Sequence, residues 1–247
     1  MKYMMKGTAA ASTVGAALLL AAVPAQAQLV YDFELNGDTA NAGSGPGTLT
    51  NNGAVQGATG LTFGANQGPT LTGATPLSSY TIDLSFRFDD TNGYRKIADF
   101  FNPGVDYGLY NLNQGLVYFP FDLQGGTAIE PGVLTRVTFS RDAAGMARGY
   151  VNGVEQVAFD DSVSLSAVFG STVAFFQDDA GTGGREASSG YVNYIRVFGT
   201  ALTPDQAVLP GVGGVVPEPA TWALMIMGFG AVGGALRRRS RGASAFA

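Results

Sequence analysis

Tyr150-Val151-Asn152-Gly153-Val154, preceded by Thr135-Arg136-Val137-Thr138-Phe139-Ser140-Arg141-Asp142, is the stretch that decides the fold. An Asn-Gly pair readily adopts the two positive φ values of a type I′ turn, whose twist matches that of two antiparallel strands. The stretch predicts a hairpin. Upstream of it, Val137 and Phe139 alternate with Arg136, Thr138 and Ser140, the period of two that belongs to a strand. Ile82, Leu84, Phe86 and Phe88 alternate in the same way with Asp83, Ser85 and Arg87, which predicts one apolar and one wet face. The runs 172–176 and 191–198 read as further strands, the second apolar on both faces and therefore central. Short strands about ten residues apart, joined by Gly-rich turns, imply an all-β domain of two packed antiparallel sheets.

Composition narrows the chemistry. The chain of 247 residues has no Cys and no His. Disulfides, thiol nucleophiles, Ser-His-Asp triads and imidazole-bound metals are thereby excluded. Residues 28–216 carry eight basic and eighteen acidic side chains and 29 of the 36 glycines. A charge of about −10 repels phosphate backbones and anionic lipid, so nucleic acid is an improbable partner, while cations and neutral sugars remain open. The glycines favour tight turns over long helices. A short helix is expected only after Thr203, with Thr203 as its cap and Pro204 at the first position.

The two ends differ from this body. Lys2 and Lys6 precede an apolar run from 9 to 23, followed by Ala25-Gln26-Ala27. Small residues at Ala25 and Ala27 suit signal peptidase, so 1–27 reads as a signal peptide, with an uncut anchor as the alternative. Near the other end, Pro217-Glu218-Pro219 is followed by an apolar stretch, 220–236, and then Arg237, Arg238, Arg239 and Arg241. Seventeen residues would cross about 25 Å as a helix, close to the thickness of a hydrocarbon core. Four arginines beyond it place that end in the cytoplasm and the body outside the inner membrane. The order of tripeptide, span and basic stop resembles the PEP-CTERM sorting signal of exported bacterial proteins, here 217–242, after a Gly-rich linker at 210–216. That resemblance implies an exosortase as partner, reading Pro217, Glu218 and Pro219. Retention as a single-span membrane anchor is the alternative, in which the protein stays inner-membrane anchored and faces the periplasm.

Four blocks of the body resemble a LamG-like domain of the concanavalin A-like lectin/glucanase superfamily, over nearly all of 28–209. They are Tyr31-Asp32-Phe33-Glu34 with Asn36-Gly37, Tyr80-Thr81-Ile82-Asp83-Leu84-Ser85-Phe86, the hairpin quoted above, and Gly190-Tyr191-Val192-Asn193-Tyr194-Ile195-Arg196-Val197-Phe198. The resemblance implies a jelly-roll sandwich. It also marks a departure, because relatives usually carry Asp where this chain has Asn193. Family members bind sugars, bind proteins, cleave glycans or serve as structural modules, so the fold alone does not choose a function.

Catalysis on this scaffold needs two carboxylates on one strand facing the cleft, in a Glu-x-Asp-x-x-Glu pattern. None is present in the sequence, so a non-enzymatic module is expected. For calcium, the best oxygen ligands are Asp178, Asp179 and Glu186 beside Gln177, with Asp160-Asp161 and Asp89-Asp90 as weaker alternatives and solvated turn caps as the plain reading. For sugar, aromatic residues crowd 100–121 among amides, and Tyr107 and Tyr110 flanking a Gly turn, with Asn111, are the candidates expected to be exposed. Much of that aromatic content must also fill the core. The resulting expectation is an exported surface or matrix module associated with extracellular polysaccharide. Its alternatives are a structural or protein-adhesion module that binds no sugar and a degenerate glycan hydrolase.

Overall fold

The computed structural model describes residues 28–100, 106–121, 123–126, 128–162, 169–203 and 206, all within the unit Ala27–Val216. The expected signal peptide, linker, sorting tripeptide and membrane-spanning helix lie outside the described residues. Among the described residues no helix is long and apolar enough to cross a membrane.

Fifteen strands are described: β1 (Leu29–Phe33), β2 (Thr48–Thr50), β3 (Val55–Gln56), β4 (Leu61–Phe63), β5 (Thr70–Thr72), β6 (Tyr80–Phe88), β7 (Tyr94–Asp99), β8 (Gly108–Leu112), β9 (Gly115–Phe119), β10 (Leu123–Gln124), β11 (Thr135–Arg141), β12 (Met146–Val151), β13 (Val154–Asp160), β14 (Thr172–Phe175) and β15 (Gly190–Phe198). They form two antiparallel sheets. The first runs β13-β12-β11-β6-β15-β4-β3, with β1 also paired to β15, and the second runs β10-β9-β8-β7-β14-β5-β2. The protein is an all-β sandwich, as its alternation and turns imply.

The hairpin forms where expected. Asn152 and Gly153 have φ of 50° and 82°, and Val151 pairs with Val154 across the turn. The Asn152 side chain also accepts a hydrogen bond from the Arg136 N–H at 3.0 Å, tying the turn to β11. Three strands are thus fixed by one local sequence signal.

Inward side chains of the two sheets interdigitate as stacked rings, which bury large apolar area and set the sheet spacing. Phe63 stacks on Phe176 at 4.6 Å, and Tyr118 bridges to Phe139 and Phe159 at 5.2 and 4.7 Å. The core is continuous from one end of the sandwich to the other.

The expected wet face of β6 reaches water only at Arg87. Asp83 is fully buried and Ser85 nearly so, because β6 lies between β11 and β15 and long neighbours fold over it. Asp83 accepts hydrogen bonds from Arg136 Nε at 2.8 Å and Thr138 Oγ1 at 3.3 Å. Alternation of polarity here marks a paired polar layer, since a buried carboxylate stays charged only when such donors meet it. β15 is central as expected, yet its outer face is half-buried and polar, with Arg196 over the Tyr194 ring at 4.3 Å.

Asn193 sits at a register shift of β15, and its Nδ2 donates to the Thr59 carbonyl at 2.6 Å. An Asp has no proton to give there, so the departure from the family residue suits this local partner. After β15, Thr203 and Gln206 form a reciprocal cap: the Thr203 N–H donates to Gln206 Oε1 at 3.0 Å, and the Gln206 N–H to Thr203 Oγ1 at 3.4 Å. The rest of the helix expected after Thr203 lies outside the described residues.

Candidate functional site

The second sheet turns its outer face to a cluster of charges and rings, and a flaw in strand regularity creates it. Residues three apart on a strand normally point to opposite faces. In β7 the register against β8 shifts between Lys96 and Ala98, inserting one extra residue. Ile97 and Ala98 both enter the core, so Lys96 and Asp99 share the outer face, with Lys96 Nζ 3.3 Å from Asp99 Oδ2.

Lys96 is fully buried. Its ammonium lies 3.3 Å from Asp179 Oδ2, 3.6 Å from Asp106 Oδ1 and 3.4 Å from the Tyr107 carbonyl, and it rests 4.3 Å above the centre of the Tyr110 ring. Tyr110 is directly opposite Lys96 on β8, and its hydroxyl donates to Asp106. Gly108 makes this approach of β8 to β7 feasible: its φ is +151°, and a Cβ there would lie 2.4 Å from the Ala98 carbonyl oxygen.

The acids arrive from the segment after β14. Phe176 takes a φ of 57°, a conformation costly for a bulky residue, and both Phe175 and Phe176 remain in the core. The chain beyond it then carries Asp178 and Asp179 to the cluster. Asp179 Oδ1 accepts from the N–H groups of Gly181 at 2.6 Å and Thr182 at 3.3 Å, while Asp178 Oδ2 accepts from Thr182 Oγ1 at 2.6 Å and the Glu186 N–H at 2.9 Å.

Among the described residues, Asp99, Asp106 and Asp179 thus share the ammonium of Lys96, with Asp178 beside Asp106 and Asp179 and with Glu186 within electrostatic reach of the cluster. The imbalance shows in proton affinity. Burial pushes Asp106 up, and its hydrogen bond to Asp179 pushes it further, against the pull of Lys96. Burial also acts on Asp179, but Asp106, Lys96 and the Gly181 N–H hold it below the usual carboxylate range. Burial, and then Asp106 and Asp178, raise Glu186 to about 7. Tyr110 is pushed up by burial and by Asp106.

Beside this cluster opens a pocket of about 80 Å³ lined by Tyr94, Asp106, Tyr110, Phe119 and Glu186. Tyr94 stands edge-on to Tyr110 at 5.5 Å and to Phe119 at 6.4 Å. Three rings and two carboxyl groups thus surround an opening large enough for one substituent of a ligand.

The expected site residues divide. Asp178 and Asp179 come together, but with Asp106, their ligand atoms lying within 4.8 Å of one another. Calcium fits this set poorly. Lys96 already supplies the cation, and the oxygens of Asp178 Oδ2 and Asp179 are occupied by the donors above, which leaves Asp178 Oδ1 alone without a partner. The weaker pairs are also explained: Asp161 is buried against Arg141 Nε at 2.9 Å, Asp160 caps the Ser162 N–H, and Asp90 pairs with Arg95. Tyr110 is not exposed; it lies within β8, fully buried, and contributes an edge of its ring and its hydroxyl rather than an open face. Asn111, expected to bind ligand beside these rings, is fully buried with its Nδ2 donating to the Thr91 carbonyl at 2.9 Å, and it does not line the pocket. Tyr107 is half-buried and gives Lys96 its carbonyl. Phe119 belongs to the aromatic run 100–121, but Lys96, Asp106 and Tyr94 were not singled out from the sequence, where a lone Lys in a strand reads as solvated.

Residues 215–239 match the model of the PEP-CTERM protein-sorting motif. This chain carries that sorting motif. It marks an exported protein handled by an exosortase. Among curated proteins no sequence matches the chain. Solved structures resemble the described sandwich. Domain 4 of AbnA, an extracellular arabinanase from Geobacillus stearothermophilus solved with arabinotriose, has TM-score 0.50 at 19% identity, covering 74% of this chain and 98% of that one. The binding domain of Paraclostridial Mosquitocidal Protein 1 gives 0.56 at 12% identity, covering 73% and 51%. A Trypanosoma rangeli sialidase in complex with 2,3-difluorosialic acid gives 0.55 at 15% identity, covering 76% and 33%. This chain spans about half and a third of the length of the latter two. At such identities the likeness is one of fold, a two-sheet β-sandwich consistent with the concanavalin A-like architecture.

Proposed function

We propose that the sorted protein is a non-catalytic glycan-binding module of the cell surface or extracellular matrix, taking its ligand on the outer face of the second sheet. The observation that carries this reading is the pocket where the rings of Tyr94, Tyr110 and Phe119 meet the carboxyl groups of Asp106 and Glu186. Aromatic faces stack on the C–H faces of sugar rings, and fixed carboxyl groups select hydroxyl orientation. The resemblance to carbohydrate-binding sandwiches supports it at the level of fold.

One observation favours hydrolysis as a second reading: Glu186, raised to about 7, has the proton affinity of a general acid, and Asp106 lines the same pocket. Asp106 argues for binding instead, because its carboxyl group is already engaged by the Tyr110 hydroxyl, Lys96 and Asp179. The test is a glycan array probed with the full chain in detergent, with and without EDTA. A defined subset of glycans should be retained, equally in both conditions, and lost in the Tyr94→Ala variant. Uniformly empty arrays contradict glycan binding and leave the structural or protein-adhesion module; release of reducing ends from a retained glycan establishes the hydrolytic reading.

A further inference from the structure

We infer that the pocket of Tyr94, Tyr110, Phe119, Asp106 and Glu186 holds an ammonium group, so that the glycan recognised carries a free amine, as a de-N-acetylated amino sugar does. This inference rests on the glycan-binding reading and names the ligand class for the same site.

Size is the first argument. An opening of about 80 Å³ admits a single substituent, with the sugar ring lying across its mouth. Charge is the second. Five carboxyl groups gather around one ammonium, which pairs with three of them, and no hydrogen bond or ion pair among the described residues holds the Glu186 carboxylate. Asp178, 9% exposed, keeps Oδ1 without a partner in the same cluster. An added cation relieves that excess, whereas a uronate or sialate would add to it. The third argument is that the protein already solvates one ammonium with these same groups: Lys96 Nζ sits over the Tyr110 ring and beside Asp106. Ring faces and carboxylates together bind ammonium by cation–π attraction and charge-assisted hydrogen bonds. The remaining lining offers the same residue types in Tyr94, Phe119 and Glu186.

The test is calorimetry of the full chain in detergent with three probes of matched length: a β-1,4-linked glucosamine tetramer, its fully N-acetylated counterpart and a tetramer of galacturonic acid. The glucosamine tetramer should bind at least about tenfold more tightly than the N-acetylated one, roughly the effect of one charge-assisted contact, and the galacturonate tetramer should not bind. Glu186→Gln should remove that tenfold preference while circular dichroism and the melting transition stay those of a folded sandwich. Equal or tighter binding of the N-acetylated probe, or a preference that survives in Glu186→Gln, overturns the amine assignment and leaves glycan binding standing. Absence of binding by all three probes, together with an empty array, overturns both.

Discussion

Lys96 is the residue on which the site depends. With its Nζ within 3.3 Å of both Asp99 and Asp179 and no exposure to solvent, it offsets their negative charge in a low-dielectric setting. Lys96→Met keeps the length and apolar stem but deletes the ammonium, and should cost roughly 3–5 kcal/mol in chemical denaturation; a loss under about 1 kcal/mol would mean that the acids are held by other donors. Glu186 supplies a pH signature. Its carboxyl group rises from 4.5 in the unfolded chain to about 7 in the fold, so the folded state binds the extra proton between those values. Its contribution is therefore greatest at and below pH 4.5 and is lost as pH climbs through 7, by roughly 1 kcal/mol once solvent screening is allowed for. Urea unfolding of wild type and Glu186→Gln across pH 4.5 to 8 should show a difference that changes over this window and is flat above it; a constant difference would contradict the environment described for Glu186.

At the scale of elements, what could be read ahead of the structure was whatever depended on neighbours in sequence. Asn152-Gly153 announced its hairpin because φ preferences are local, and the alternation of Val137 and Phe139 announced β11 for the same reason. The site did not show itself in this way. The register shift in β7 that brings Lys96 and Asp99 to one face breaks the period of two, and only pairing with β8 reveals it. Asp83 looked like a solvent-facing residue because alternation cannot tell water from a covering Arg136. Tyr107 and Tyr110 read as exposed because they flank Gly108, yet that glycine serves a close strand contact. Gly108→Ala should therefore destabilise the protein by about 1–3 kcal/mol and weaken glycan binding, because Tyr110 and Asp106 lose their registration with Lys96. Unchanged melting in that variant would show that β7 and β8 can separate without consequence.

At the scale of the whole molecule, an acidic sandwich and a sorting motif occur in one chain, and the proposed recognition face belongs to one sheet. The paired polar layer on the first sheet, Asp83 with Arg136 and Arg196 with Asp32 and Glu34, sets two guanidinium groups against three carboxylates and offers a smaller excess of charge. The outer face of the second sheet keeps its imbalance and its open aromatic mouth. A crystal structure of the full chain with a glycan retained on the array tests this assignment most directly. The account predicts a sugar ring against Tyr94 and Phe119 with one substituent reaching Asp106 and Glu186. A sugar bound instead on the outer face of the first sheet, with the pocket filled only by solvent, would contradict it.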